Sequence, residues 1–165
     1  MKHNKVVKAM IEYYSGDPKR IQHFLKVHAY AKMIGEMEQL DKVTQEILEV
    51  TAVVHDIGIK LSEEKYNSSA GNYQQIEGPA VAERMLNELG YSKEFIDRCC
   101  YLIAHHHTYK EIDGIDYQIL VEADFLVNIY EEDVVHEKIP GIRDKIFRTE
   151  SGISLLNAIY GFQIG

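Results

Sequence analysis

Apolar residues recur at intervals of three and four along most of the chain, and this spacing indicates amphipathic helices. In the segment 18–38, for example, one face carries Ile21, Phe24, Val27 and Ala31. The pattern predicts an all-α fold of about six to eight helices. We expect these helices over 4–14, 18–38, 41–57, 78–89, 92 to the histidine run at 105–107, 116–131 and, as one or two more, 138–160.

Capping residues mark several of the predicted helix ends. Asp17, Asp41 and Ser92 each precede a helical stretch and are good N-caps. Pro18 suits the first helical position after Asp17. Gly58 is placed to end the third helix in a left-handed turn.

Two kinds of segment do not clearly predict a helix. Residues 60–77 are polar, and we predict that they form the longest loop and one wall of a pocket. The segments TAVVHDIGI and YQILVEADFLVNIY are rich in β-branched and aromatic residues, so either could be a buried strand. Length favours a helix for both, because each lies in a periodic run longer than an ordinary strand.

Composition limits the class of protein. The 165 residues fit one domain, and 45% hydrophobic residues can form an ordinary core. The net charge of −8 argues against a broad nucleic-acid interface. Cys99 and Cys100 are adjacent and cannot form an ordinary disulfide, and no stretch is apolar enough to span a membrane. We therefore expect a soluble, cytoplasmic protein that binds neither nucleic acid nor membrane.

Ionisable residues interrupt the most apolar predicted helices. His23 shares a face with Val27, while other ionisable residues follow or lie within apolar runs: His55, Asp56 and Asp124. A buried carboxylate without a partner costs several kcal/mol. Two carboxylates and two imidazoles in one core are explained most simply by a bound divalent metal ion.

The order H…HD…D, with AVVHDIGIK at its centre, resembles the HD-domain superfamily of metal-dependent phosphohydrolases. The match covers residues 18–131, and its first histidine opens the segment His23-Phe-Leu-Lys26-Val27. The resemblance implies a single-domain helical bundle over 1–165. It also implies one divalent metal ion, which would be Fe, Mn, Co, Ni, Zn or Mg, held by His23, His55, Asp56 and Asp124.

Some members of this superfamily hold two metal ions, with further histidines between the HD pair and the last aspartate. Here His105 and His106 fall where such a pair would lie, and His107 is expected just outside it. Another expected histidine is replaced by Glu77, which could bind iron or manganese or could instead cap its helix. His28 is expected outside the ligand set, and no role is assigned to His3 or His136.

The resemblance implies hydrolysis of a phosphate ester or anhydride, with a nucleotide-like small molecule as substrate. A divalent ion activates water for such a reaction, and Asp56 would orient that water. Lys26 and Lys60 are candidate catalytic and phosphate-binding residues because each follows a predicted ligand closely. Arg20 and His107 are further candidates for contact with the substrate.

Two other functions fit the same residues. A di-iron enzyme on an HD-like fold could use O₂ to cleave a C–C or C–P bond. A regulatory domain could bind the metal or a nucleotide without catalysis. Metal identity and oxygen uptake would distinguish the first alternative. Substitution of Asp56 without effect on activity would favour the second.

Overall fold

The computed structural model describes residues 2–163, and every regular element in that range is helical. This confirms the predicted all-α fold. One turn of 3₁₀ helix lies at His136–Lys138. The α-helices are α1 (Lys2–Tyr13), α2 (Pro18–Met37), α3 (Lys42–Val54), α4 (Ile59–Tyr66), α5 (Gly71–Glu88), α6 (Lys93–His105), α7 (Ile115–Glu131), α8 (Ile139–Ile146) and α9 (Glu150–Tyr160).

The predicted N-caps are confirmed. The Asp17 carboxylate accepts a hydrogen bond from the backbone N–H of Arg20 at 3.1 Å, and the Asp41 carboxylate accepts two from the first turn of α3. The Ser92 hydroxyl accepts one from Phe95 at the start of α6. These bonds satisfy N–H groups that have no partner within the helix, and so they fix where each helix begins.

Gly58 was predicted to end the third helix in a left-handed turn, and this prediction is wrong. Helix α3 ends at Val54, and Gly58 has a right-handed φ of −76°. A Cβ at Gly58 would lie 2.5 Å from the backbone nitrogen of Gly78 in α5. Glycine is therefore needed at this position because two backbones approach each other closely, and not because the chain turns left-handed.

The predicted loop over 60–77 is also wrong, because α4 and the first part of α5 occupy most of it. Only 67–70 is not helical, and the predicted helix start at Gly78-Pro79 lies inside α5. The buried positions of these helices include Ser62, Gln74 and Gly78. A search for apolar periodicity does not detect these residues, because they are small or polar, although they are buried.

The core consists of two clusters of buried side chains that are continuous through α2 and α3. One cluster lies between α2, α3, α6, α7, α8 and α9, and includes Val27 and Leu120. The other lies between α1, α2, α3, α5 and α6, and includes Phe24 and Ile103. Ile47 of α3 packs against both. Within residues 2–163, no helix is both long and apolar enough to cross a membrane.

Candidate metal centre

Three helices bring four separate ionisable side chains to one point in the core. His23 lies on α2, His55 and Asp56 follow directly after α3, and Asp124 lies in the middle of α7. Each offers one donor atom, and these atoms lie within 4.8 Å of one another. All four residues are buried, and His55 is fully buried. The residues that the sequence suggested as ligands therefore meet in space.

The separations between donor atoms suit a single small cation. The Nε2 atoms of His23 and His55 lie 3.2 Å apart. Each lies 3.3 Å from Asp56 Oδ2 and 3.4 Å from Asp124 Oδ1. Ligands at bond lengths of about 2.1 Å around a tetrahedral ion lie about 3.4 Å apart. Asp124 Oδ1 is buried and has no hydrogen-bond partner, and a cation would satisfy it.

Hydrogen bonds at the other ring nitrogens orient the imidazoles. His55 Nδ1 donates to the carbonyl oxygen of Ala52 at 2.8 Å, and His23 Nδ1 lies 3.3 Å from Glu131 Oε1. A proton on Nδ1 leaves the lone pair of Nε2 for a metal ion, and such partners fix the ring of a ligating histidine. Glu131, which lies on α7 seven residues after Asp124, therefore supports the site. It was not among the predicted site residues.

The turn that presents His55 and Asp56 is fixed by a tyrosine from the end of α1. The Tyr14 hydroxyl lies 3.2 Å from the carbonyl oxygens of both Asp56 and Ile57. It also accepts a hydrogen bond from the backbone N–H of Lys60. These hydrogen bonds satisfy backbone groups that follow the end of α3, and they hold the turn in place.

Burial and the neighbouring charges act in opposite directions on the pKa values of the four residues. Burial lowers the pKa of His23, but the adjacent carboxylates of Asp124 and Asp56 outweigh it and raise that pKa to about 9. Burial likewise opposes charge on His55, yet the two aspartates hold its pKa well above the usual value. Burial alone would raise the pKa of both aspartates, but the neighbouring imidazoles have the larger effect, so both pKa values are lowered. The carboxylates therefore favour positive charge at the point that the four donor atoms surround, and a divalent ion held there would supply it.

A second group of donor atoms shares Asp56 with the first. It consists of Asp56, His106 and His107. His106 is buried, and its Nε2 lies 3.0 Å from Asp56 Oδ1, while its Nδ1 bonds to the carbonyl oxygen of Ile103. His107 Nε2 lies 3.8 Å from the same carboxylate oxygen. Because Asp56 presents one oxygen to each group, the residues fit two ions as well as one.

The predicted ligand His105 does not reach the cluster. Its Nδ1 bonds to the carbonyl oxygen of Tyr101 at 2.7 Å, and its ring stacks on the Tyr101 ring. The prediction extended the helical repeat through the histidine run, but α6 ends at His105 and the chain turns at His106. The turn directs His107 toward Asp56, so the pair is His106 and His107.

Glu77 does not reach either donor group and does not cap a helix. It lies within α5, where its carboxylate accepts hydrogen bonds from Lys65 Nζ and the Tyr66 hydroxyl, both at 2.9 Å. Those bonds lower its pKa. Gln74, one turn earlier on α5, takes its place beside the site, and its Oε1 lies 3.2 Å from His107 Nε2.

A polar cleft of about 240 Å³ opens over the four-residue cluster. Arg20 lines it, as predicted for a substrate contact, and pairs with Glu63 at 2.9 Å. His107 also lines it. Ser69 and Gln74 also line the cleft, and both belong to the segment 60–77 that was predicted to form a pocket wall. The lining residues that sequence reasoning missed are Lys19, Ile59, Asn128, Glu131 and Glu132. Lys19 and Asn128 lie one helical turn from a predicted ligand, and that spacing was the available signal.

The two predicted catalytic lysines lie outside this cleft. Lys60 Nζ bonds to the carbonyl oxygen of Tyr13 and lies over the Tyr13 ring, in a separate surface pocket. Lys26 Nζ pairs with Glu131 Oε1 at 2.8 Å. Lys26 thus lies beside the cleft, held by Glu131 one helical turn after His23. Lys60 lies on α4, whereas His55 and Asp56 follow α3, so closeness in sequence did not bring its side chain into the cleft.

Comparison with known proteins agrees with this geometry. The family model for the HD domain matches residues 20–146, so the chain belongs to the HD domain family of metal-dependent hydrolases. A solved structure with the same fold is described as a predicted HD superfamily hydrolase from an uncultured Thermotogales bacterium. It is 20% identical, with a TM-score of 0.72, over 96% of this chain and 84% of that chain. No curated protein matches the sequence significantly.

Proposed function

We propose that the protein hydrolyses a phosphate ester or anhydride of a nucleotide-like small molecule. The observation that carries this proposal is the buried cluster of His23, His55, Asp56 and Asp124 at the floor of a cleft with cationic side chains. Imidazole and carboxylate together accept Fe, Mn, Co, Ni or Zn, and Mg²⁺ is less suited because it prefers oxygen ligands. A divalent ion held by these residues supplies Lewis acidity and a water of lowered pKa.

The residues of the cleft divide between the two halves of such a substrate. Lys19 and Arg20 bind phosphate oxygens, and Arg20 exchanges its exposed partner Glu63 for the phosphate. Elsewhere along the cleft, the carboxylates of Glu131 and Glu132 accept hydrogen bonds from sugar hydroxyls. These carboxylates also repel a long polyanion. A small phosphorylated sugar or nucleotide therefore suits the cleft better than a nucleic acid.

Asp56 orients the attacking water because its two oxygens face different groups. Oδ2 faces the imidazoles of His23 and His55, and Oδ1 lies 3.0 Å from His106 Nε2. The carboxylate is thereby held rigidly from two sides. His107 lies at the cleft side of the same carboxylate and contacts the substrate.

The proposal predicts metal-dependent release of phosphate or nucleotide. Ion-free protein is loaded with Mn²⁺, Fe²⁺, Co²⁺, Ni²⁺ or Zn²⁺ and assayed on nucleoside mono-, di- and triphosphates, dinucleoside polyphosphates and sugar phosphates. We expect turnover of at least one substrate class, and loss of about 10²-fold or more in kcat for Asp124→Ala. Glu63→Gln, which removes only the exposed partner of Arg20, is the matched control and should keep its activity.

Absence of turnover on every substrate, with metal bound at full occupancy, would contradict the proposal. The shared donor group of Asp56, His106 and His107 favours a two-ion centre and so keeps a di-iron oxygenase as the second candidate. Oxygen consumption by the iron-loaded protein with a phosphonate or polyol substrate, and no hydrolysis, would favour that candidate.

A further inference from the structure

A second cluster of metal-binding side chains lies where α1 meets α2 and α3. His3, His28 and Glu49 each offer one donor atom, and these atoms lie within 4.8 Å of one another. His28 follows His23 by five residues, which places it about 140° further around the axis of α2. The cluster is therefore separate from the centre beneath the cleft.

Ring nitrogens in this cluster have no partners. Both nitrogens of His3 and the Nε2 of His28 are buried and form no hydrogen bond. The two rings stack with their centroids 4.6 Å apart. Buried polar atoms are nearly always satisfied in a folded protein. An unsatisfied nitrogen on each of two adjacent imidazoles therefore indicates a partner that the two rings share.

The surroundings of the two rings disfavour positive charge on them. Burial lowers the pKa of both His3 and His28, and Lys32 lowers both further, while Glu49 only partly opposes this. The charged groups that face the pair also include Glu46 on α3, near His3.

The carboxylate is placed to complete a ligand set. His28 Nε2 lies 3.5 Å from Glu49 Oε2, close to the separation of about 3.4 Å between two ligands of one tetrahedral ion. The side-chain amide of Gln45 donates to the other oxygen, Oε1, at 2.8 Å and orients the carboxylate. A surface depression lined by His3 and Glu49 opens the cluster to solvent.

We propose that His3, His28 and Glu49 form a second metal site, separate from the catalytic centre, for Zn²⁺ or an ion of similar preference. Two imidazoles and one carboxylate with an open fourth position match zinc coordination, whereas Ca²⁺ and Mg²⁺ require mostly oxygen ligands. Because the three ligands come from three helices, the ion clamps α1 onto α2 and α3.

Zinc stoichiometry tests the site in the full chain. Protein saturated with Zn²⁺ is passed through gel filtration and its metal content is measured by mass spectrometry. We expect His28→Gln and Glu49→Gln to hold one zinc ion per chain fewer than the original protein. Glu46→Gln removes a neighbouring charge outside the donor set and is the matched control, which should keep the full count. Equal zinc content in all four proteins, or an equal loss in Glu46→Gln, would overturn the proposal.

Hydrogen exchange of α1 tests the clamp independently. Zn²⁺ should slow amide exchange in Lys2–Tyr13 of the original protein, and should not do so in Glu49→Gln, which keeps the catalytic ligands. Far-ultraviolet circular dichroism establishes that each variant is folded, and if His28→Gln is not, Glu49→Gln alone decides the result. The clamp is refuted if Zn²⁺ does not slow exchange in α1 of the original protein. It is also refuted if Zn²⁺ slows this exchange equally in Glu49→Gln.

Discussion

At the residue scale, His23 and His55 each use one ring nitrogen, Nδ1, to fix the orientation of the ring. The other nitrogen, Nε2, points to the candidate metal centre. His55 Nδ1 bonds to Ala52 within its own chain segment, while His23 Nδ1 faces Glu131 of a distant helix. The sequence indicated both histidines as ligands from their apolar surroundings. It could not indicate Glu131, because that contact spans α2 and α7 and depends on how they pack.

Replacing Glu131 tests whether it positions His23. Glu131→Gln removes the carboxylate that faces His23 Nδ1 and pairs with Lys26. Such an outer partner of a metal ligand is typically worth 10–100-fold in metal affinity, so we expect a loss of about that size. Competition with a fluorescent chelator measures it.

Glu132→Gln is the control for this prediction. It removes an adjacent carboxylate that also lines the cleft but forms no contact with His23. Its metal affinity should stay within about twofold of the original. A Glu131→Gln protein whose affinity matches that of Glu132→Gln would show that Glu131 does not position the ligand.

At the element scale, the helical repeat predicted helices well wherever apolar side chains face the core. It failed over 60–77, because α4 and α5 pack through a contact between Gly58 and Gly78 and bury Ser62 and Gln74. The buried positions of these helices thus include small and polar residues beside apolar ones such as Ile59. Hydropathy gives no signal at the small and polar positions, so the helical pattern was interrupted there.

Gly58→Ala should destabilise the protein. The added Cβ would lie 2.5 Å from the backbone nitrogen of Gly78, and backbone cannot move aside as a flexible side chain does. We expect a loss of about 1–3 kcal/mol in the free energy of unfolding, as for other overpacked sites. Urea denaturation followed by circular dichroism measures this loss.

Gly141→Ala supplies the comparison. Gly141 lies in α8 with nothing within 4 Å of an added Cβ, so alanine should be neutral or stabilise by up to about 1 kcal/mol. If Gly58→Ala were as stable as Gly141→Ala, the close contact between α4 and α5 would not be a constraint on the fold.

At the scale of the whole molecule, the ion-free centre makes stability depend on pH. The pKa of His23 rises from 6.5 to about 9 on folding, so its contribution is complete below pH 6.5 and is lost as pH rises through about 9. Asp56 and Asp124 have lowered pKa values, so their contribution is present above pH 3.8 and is lost on further acidification. The centre thus stabilises ion-free protein most between these two limits.

A bound divalent ion should remove the loss at high pH, because it replaces the protons on His23 and His55. We expect the free energy of unfolding to fall between pH 6.5 and 9 in the presence of chelator, and to stay level or rise with Mn²⁺ or Zn²⁺. Urea denaturation across this range measures both curves. Parallel curves would mean that the ion does not occupy the place of those protons.

The sequence by itself determined the helical class, three of the helix starts and the residue types of the central site, because these depend on local spacing and capping. Only the tertiary structure decided which of them meet. It excluded His105, Glu77 and Lys60 from the centre, and it brought His3 and His28 together against Glu49. Such contacts join residues far apart in the chain, and their geometry follows from the packing of whole helices rather than from any local pattern.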